Sequence, residues 1–133
     1  MSTPIKRLDS NDAYAALCAN PDAVLIDVRD PIEFSFVGHP LDAVNIPWKF
    51  APDMRPNADF VTQVQKCVTD TSVPLFLLCR SGQRSLGAAH ALADAGYHDL
   101  TNIEDGFEGP IDEQKHRGTA AGWRFHGLPW VQS

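Results

Sequence analysis

Two short runs, AVLIDV from Ala23 to Val28 and VPLFLLC from Val73 to Cys79, are apolar almost without interruption. A strand with one face in water alternates apolar and polar residues, so continuous runs of this length predict strands buried on both faces. Three further β-rich segments fit the same pattern: Ile5 to Leu8, AVNIP from Ala43 to Pro47, and DLTNI from Asp99 to Ile103. The segments between them carry apolar residues at helical spacing. Strands alternating with helices predict an α/β domain, a parallel sheet with helices on both faces.

Each helical segment has a candidate start. Ser10 can cap DAYAALCAN, Pro31 suits the first turn before IEFSF, and Asn57 or Asp59 can cap ADFVTQVQKCV. In the last of these Phe60, Val64, Cys67 and Val68 share one face, which reads Cys67 as a small buried hydrophobe. Cys18, following Tyr14 and Leu17, reads the same way. After Ile103 periodicity fades, and glycines and prolines interrupt a loop-rich tail from about residue 104. Its Phe107, Trp123, Phe125 and Trp130 are large enough that the tail is expected to wrap on the domain with these rings tucked in. Without a repeat or a second core, residues 1–133 read as a single domain.

Composition narrows the picture. A chain of 133 residues, 44% of them hydrophobic, can bury roughly two thirds of its unfolded surface in one core. No stretch is long and apolar enough for a membrane span, and Asp9, Asn11 and Asp12 stand where a secretory leader needs its apolar centre. The expectation is an unexported protein with no membrane partner. The three cysteines, Cys18, Cys67 and Cys79, form neither a pairing framework nor a C-x-x-C motif, which fits a reducing cytoplasm. The five histidines lack metal-pair spacing, so neither a metal nor another cofactor is assigned. A formal charge of −6 argues against a nucleic-acid partner, and any anionic substrate has to be attracted locally.

One stretch offers that local attraction. In PLFLLCRSGQRSLGAAHAL, Cys79 ends an apolar strand, a short loop follows, and an alanine-rich helix begins in which Leu86, Ala89, Ala93 and Tyr97 share a face. Parallel sheets bind ligands at this edge, where amide groups and a helix N-terminus are exposed. Gly82 can take φ > 0, so Arg80, Ser81, Gly82, Gln83, Arg84 and Ser85 can curl their amides into an anion nest around the sulfur. A free thiol with a pKa of about 8.5 is only ~3% ionised at pH 7, and lowering that value by about two units requires roughly 2.7 kcal/mol of preference for the charged form. A helix terminus and charged hydrogen bonds can supply it. Cys79 is therefore expected to be a thiolate nucleophile. A lone cysteine at a strand end is ordinarily a buried hydrophobe; the combination of thiol, glycine, two arginines and two serines in seven residues separates this one.

With these residues the chain resembles the rhodanese family of sulfurtransferases. CRSGQRS resembles their active-site loop, LIDVRDPIEFSFVGHPLDAVNIPW their upstream signature, the glycine and phenylalanine of IEDGFEGP their closing stretch, and GWRFHGLPW the tail of some bacterial members. The resemblance implies a three-layer fold with a five-stranded parallel sheet. It also implies that Cys79 carries sulfur as a persulfide, cradled by Arg80 to Ser85. Arg29 and Glu33 are implied to form a structural ion pair near the site, and Asp27 to support it. Trp48 either lines the pocket mouth or packs in the core. The chain departs from the family's Gly-His-Ile-Pro-Gly-Ala at Gly38 to Ala43, where Asp42 replaces the second glycine.

Related phosphatases of the same fold, and the unrelated tyrosine phosphatases, also surround an oxyanion with a cysteine and an arginine, but place five residues between them. Here four lie between Cys79 and Arg84, a tighter ring that suits one extra sulfur atom. The expected reaction takes sulfane sulfur from a small anionic donor such as thiosulfate and passes it to cyanide, a thiol or a protein, with Arg80, and Arg84 as a second candidate, steadying the anion. A phosphatase or reductase, and a non-enzymatic module for interaction or sulfur sensing, are the alternatives.

Overall fold

A computed structural model describes residues 4–132. Its central sheet has five parallel strands: β1 (Lys6–Leu8), β2 (Val24–Asp27), β4 (Val44–Asn45), β7 (Leu75–Leu78) and β8 (Leu100–Ile103), in the order β1-β8-β7-β2-β4. β7 lies at the centre, and its four residues are all buried. Alternation sends Leu75 and Leu77 to one face and Phe76 and Leu78 to the other. On the first face they meet Phe60 and Val64 of α2 (Phe60–Cys67) and Ala88, Ala89 and Leu92 of α3 (Gln83–Asp94). On the second they meet Ala13 of α1 (Ser10–Ala19), Phe107 and Trp123. The three layers follow from a strand that is apolar on both sides.

Local chemistry moves some boundaries. Asp9, not Ser10, caps α1, its Oδ1 accepting from the Asp12 amide at 2.8 Å. Ser10 is the first helical residue, and its amide and hydroxyl both donate to Asp105 at 2.8 Å. Asp59 occupies the cap position of α2 without a side-chain cap bond, while Asn57 Oδ1 accepts from its amide. The segment after Pro31 makes only a π-helical turn, Glu33–Val37.

Cys18 and Cys67 are both exposed. α2 buries Phe60 and Val64, with Val68 following at the same four-residue step, which turns Cys67 to the outer edge of that face. In α1 the buried positions are Ser10 and Ala13, and Cys18 lies off that stripe near the helix end.

Two small antiparallel pairs complete the chain: β3 (His39–Pro40) with β9 (Trp130–Val131), and β5 (Lys49–Phe50) with β6 (Arg55–Pro56). The first pins the tail. Phe107 and Trp123 are buried within it, Trp130 is half-buried, and Phe125 is exposed, contrary to the expectation that all four rings tuck in. Phe125 edges onto His126 instead.

Asp42 stands where the family pattern has its second glycine, and it adopts φ 65, the left-handed conformation a glycine would take. Aspartate tolerates this region at a cost of about 1 kcal/mol, somewhat more than the backbone entropy a glycine would add to the unfolded chain. Asp42→Gly is therefore expected to stabilise the protein by about 0.5 kcal/mol in urea unfolding. A loss of stability would show that the aspartate side chain contributes to the turn.

Candidate active site

Three strands deliver the site to the carboxyl edge of the sheet, where open parallel sheets bind ligands. β7 ends at Leu78 and hands the chain to Cys79. β2 ends at Asp27, two residues before Arg29, and β8 carries Asn102 just before Glu104.

Cys79 is 1% exposed, yet it lines a pocket of about 160 Å3 with Met54, Arg80, Ser81, Gln83 and Arg84. A larger cleft of about 380 Å3, between α1, the start of β2 and the tail, is lined by Tyr14, Leu17, Leu25 and Trp123 among others. No arginine or lysine lines it, so the smaller pocket is the one that fits an anion.

Sγ of Cys79 accepts from the Gly82 amide at 3.1 Å and lies 3.3 Å from Ser85 Oγ. The expected full ring of amides therefore reaches the sulfur through one member only, assisted by a hydroxyl. Gly82 is the N-cap of α3 with φ 102, and the next three amides, of Gln83, Arg84 and Ser85, have no partner inside the helix. They lie at the helix end that borders the pocket.

Gly82 is needed twice over. A Cβ there would fall 2.2 Å from the Glu104 carbonyl oxygen, besides straining the positive φ. Gly106 answers it from the other side: a Cβ there would lie 2.5 Å from the Arg80 carbonyl and 2.6 Å from that of Cys79. The close approach lets the Phe107 amide donate to Cys79 O at 2.8 Å and the Glu108 amide to Arg80 O at 3.0 Å. The closing glycine and phenylalanine are thus the backing of the cysteine loop.

The charged residues pair differently from the expectation. Arg29 does not pair with Glu33; it pairs with Asp27, both fully buried, through Nε at 2.9 Å and Nη2 at 2.6 Å. Two residues along an extended chain put the two side chains on one face, within reach of each other. Arg29 Nη2 also donates to Gly38 O at 2.6 Å, and its guanidinium lies 4.6 Å from the centre of the Phe107 ring. Glu33 pairs instead with Arg84, across 51 positions, in a two-pronged contact at 2.7 and 3.0 Å. Arg84 therefore has its charge matched within the protein, while Arg80 is exposed at the pocket. Trp48 is not at the mouth; it meets Phe60 edge-on at 5.1 Å and sits against Gly87.

Burial alone would push the Glu33 carboxyl up, but the hydrogen bonds and charge of Arg84, with Arg29 and Arg80 adding charge, outweigh it and hold the group below the ordinary carboxylate range. Since the folded value lies below the unfolded one, the stabilisation is complete above the ordinary Glu range and is lost as pH falls through the folded value. As pH falls below the ordinary glutamate range the parent should lose more stability than Glu33→Gln, whose acid limb is flatter. Parallel acid limbs in urea unfolding would show that the pair contributes nothing.

Asn102, fully buried near the end of β8, was not singled out among the sequence candidates. Its Oδ1 accepts from Ser85 Oγ at 2.5 Å, and its Nδ2 donates to Gly82 O at 3.1 Å and to the Glu104 carboxylate. The available signal was a polar amide inside a strand otherwise read as core.

Comparison with known proteins agrees with this architecture. The Rhodanese-like domain model matches residues 10–112. An uncharacterised protein of Rickettsia conorii is 36% identical over 132 residues, covering 95% of this chain and 97% of that one. The thiosulfate sulfurtransferase GlpE of Pseudomonas syringae is 33% identical over 106 residues, covering 80% of this chain and 87% of its own. The crystal structure of Rv0390 from M. tuberculosis superposes with a TM-score of 0.89 at 38% identity, over 99% of this chain and 100% of that chain. A match spanning most of the sequence, on a five-stranded parallel sheet with its cysteine loop at the carboxyl edge, places the chain in the rhodanese-like domain family.

Proposed function

We propose that the protein is a sulfurtransferase that moves sulfane sulfur from a small anionic donor such as thiosulfate to a thiophilic acceptor, through a persulfide on Cys79. The observation that carries the reading is the placement of Cys79 in the lining of a small pocket at the start of α3, with the Gly82 amide and Ser85 hydroxyl against its Sγ and Arg80 exposed beside it. A thiosulfate sulfurtransferase among the relatives supports the same class.

In the first half-reaction the Cys79 thiolate attacks the outer sulfur of thiosulfate. The new Sγ–S bond forms as the donor's S–S bond breaks, and sulfite leaves with the electron pair. Arg80 draws the dianion to an otherwise acidic protein and offsets its charge during attack. The free amides at the start of α3 face the terminal sulfur of the persulfide, where its negative charge resides. In the second half-reaction cyanide, a thiol or an acceptor protein attacks that sulfur, and the electron pair of the broken bond returns to Sγ. The two halves are separate, so ping-pong kinetics follow. Arg84, tied to Glu33, shapes the wall of the pocket rather than supplying a free charge. Three unpaired thiols suit a reducing compartment such as the cytoplasm. No helix among the described residues is long and apolar enough to cross a membrane.

Cys18 and Cys67 are internal controls, being exposed and outside the loop. After treatment with thiosulfate and removal of excess donor, mass spectrometry of the digest should find one added sulfur atom on the Cys79 peptide, released by cyanide as thiocyanate. A sulfur atom distributed over the Cys18 and Cys67 peptides, with none on Cys79, overturns the assignment.

A further inference from the structure

We propose that Asn102 is a positioning residue for sulfur transfer, a two-handed clamp that holds both groups in contact with the Cys79 sulfur. The two contacts of Sγ are the Gly82 amide and Ser85 Oγ. Asn102 grips both residues: Nδ2 donates to the Gly82 carbonyl, and Oδ1 accepts from the same Ser85 hydroxyl that lies against the sulfur. A single buried side chain on a neighbouring strand thereby fixes the glycine at φ 102 and the serine in the first turn of α3 relative to the sulfur.

The clamp is itself held. The other hydrogen of Nδ2 goes to the Glu104 carboxylate, whose Oε1 lies 3.6 Å from Nε of Arg7 on β1. These contacts fix which way the amide points, because Nδ2 facing Gly82 O and Glu104 leaves Oδ1 for Ser85.

A choice follows for Ser85. Its hydroxyl has one proton and three acceptors in reach: Asn102 Oδ1, Gly82 O at 3.2 Å and Sγ. When Sγ carries charge, donation to sulfur is favoured. When the charge has moved outward to the terminal sulfur, the hydroxyl donates to Asn102 Oδ1 instead. Asn102 therefore gives the serine a partner in the persulfide state, and no buried hydroxyl is left unmatched in either half of the cycle.

This rests on Cys79 carrying the persulfide, so the test reads the clamp and the chemistry separately. In Asn102→Ala, hydrogen exchange of the Gly82 amide, followed by NMR without donor, should speed up by about tenfold relative to the Leu77 amide in the sheet. Turnover of thiosulfate with cyanide should fall about ten- to a hundredfold in kcat with KM for thiosulfate within about twofold, since Arg80 is untouched. Asn102→Ser, too short to reach both partners, gives the same pattern if the alanine variant folds poorly. Leu100→Val, a core change on the same strand, should lower stability without altering Gly82 exchange or kcat. Asn102→Ala combined with Ser85→Ala should cost less than the product of the separate losses.

If the parent transfers sulfur and Asn102→Ala retains either its kcat or its Gly82 protection, or if the two losses simply multiply, the clamp is wrong. If the parent transfers no sulfur while Gly82 exchange still accelerates, the clamp stands and the sulfurtransferase reading falls.

Discussion

Gly82→Ala should reduce thiosulfate turnover by at least about a hundredfold, to the level of Cys79→Ala, while leaving a folded protein. The added methyl would stand 2.2 Å from the Glu104 carbonyl oxygen, and the residue would have to keep a φ of 102 that alanine avoids. Glu104 cannot yield easily, because its amide is bonded to Leu8 O at 2.8 Å. The loop must move instead, and the amide it would carry away is the one bonded to Sγ. The expected stability loss is about 1–3 kcal/mol, since the damage is confined to one turn at the sheet edge. Steady-state kinetics with urea unfolding on the same preparation checks both halves. An alanine variant with parental turnover would show that the Gly82 amide has no part in the reaction.

The second large effect is on stability. Arg29→Met should destabilise the protein by about 3–5 kcal/mol, because it strands the fully buried carboxylate of Asp27 without its cation. Replacing both partners, Asp27→Leu with Arg29→Met, should recover a large part of that loss, as paired apolar residues do elsewhere. Nη1 of Arg29 has no hydrogen-bond partner among the described residues, and the guanidinium is steadied by the Phe107 ring and Gly38 O. The pair is thus imperfectly satisfied even in the parent, which is why removal of both charges costs less than removal of one. If Arg29→Met unfolded within about 1 kcal/mol of the parent, the pair would be only a spectator.

What could be read from the residues was whatever depends on local spacing. Leu75 to Leu78 predicts a doubly buried strand because all four positions are apolar, and Gly82 predicts a left-handed turn because nothing else between Cys79 and Ser85 adopts one cheaply. Distant pairing was hidden. Glu33 and Arg84 are 51 positions apart, and nothing local joins them, whereas the family resemblance implied Arg29 as the partner of Glu33. Cys67 shows the limit of periodicity, since a seven-residue step on an eight-residue helix marks the edge of the buried stripe as readily as its centre. Asn102 went unremarked because its role comes from two residues that reach it only when α3 docks against β8.

That last feature bears on when the thiol becomes usable. Asn102, Glu104 and Gly106 are made after Cys79, and β8 must slot between β1 and β7 before any of them can stand behind the cysteine. A polypeptide emerging from the ribosome exposes Cys79 with no backing at all, and a truncated product ending before residue 100 stays in that condition. Completion of the sheet is what brings Asn102, Glu104 and Gly106 up behind the cysteine loop, so under the proposed reading a chain that stops short of β8 should fail to hold a persulfide.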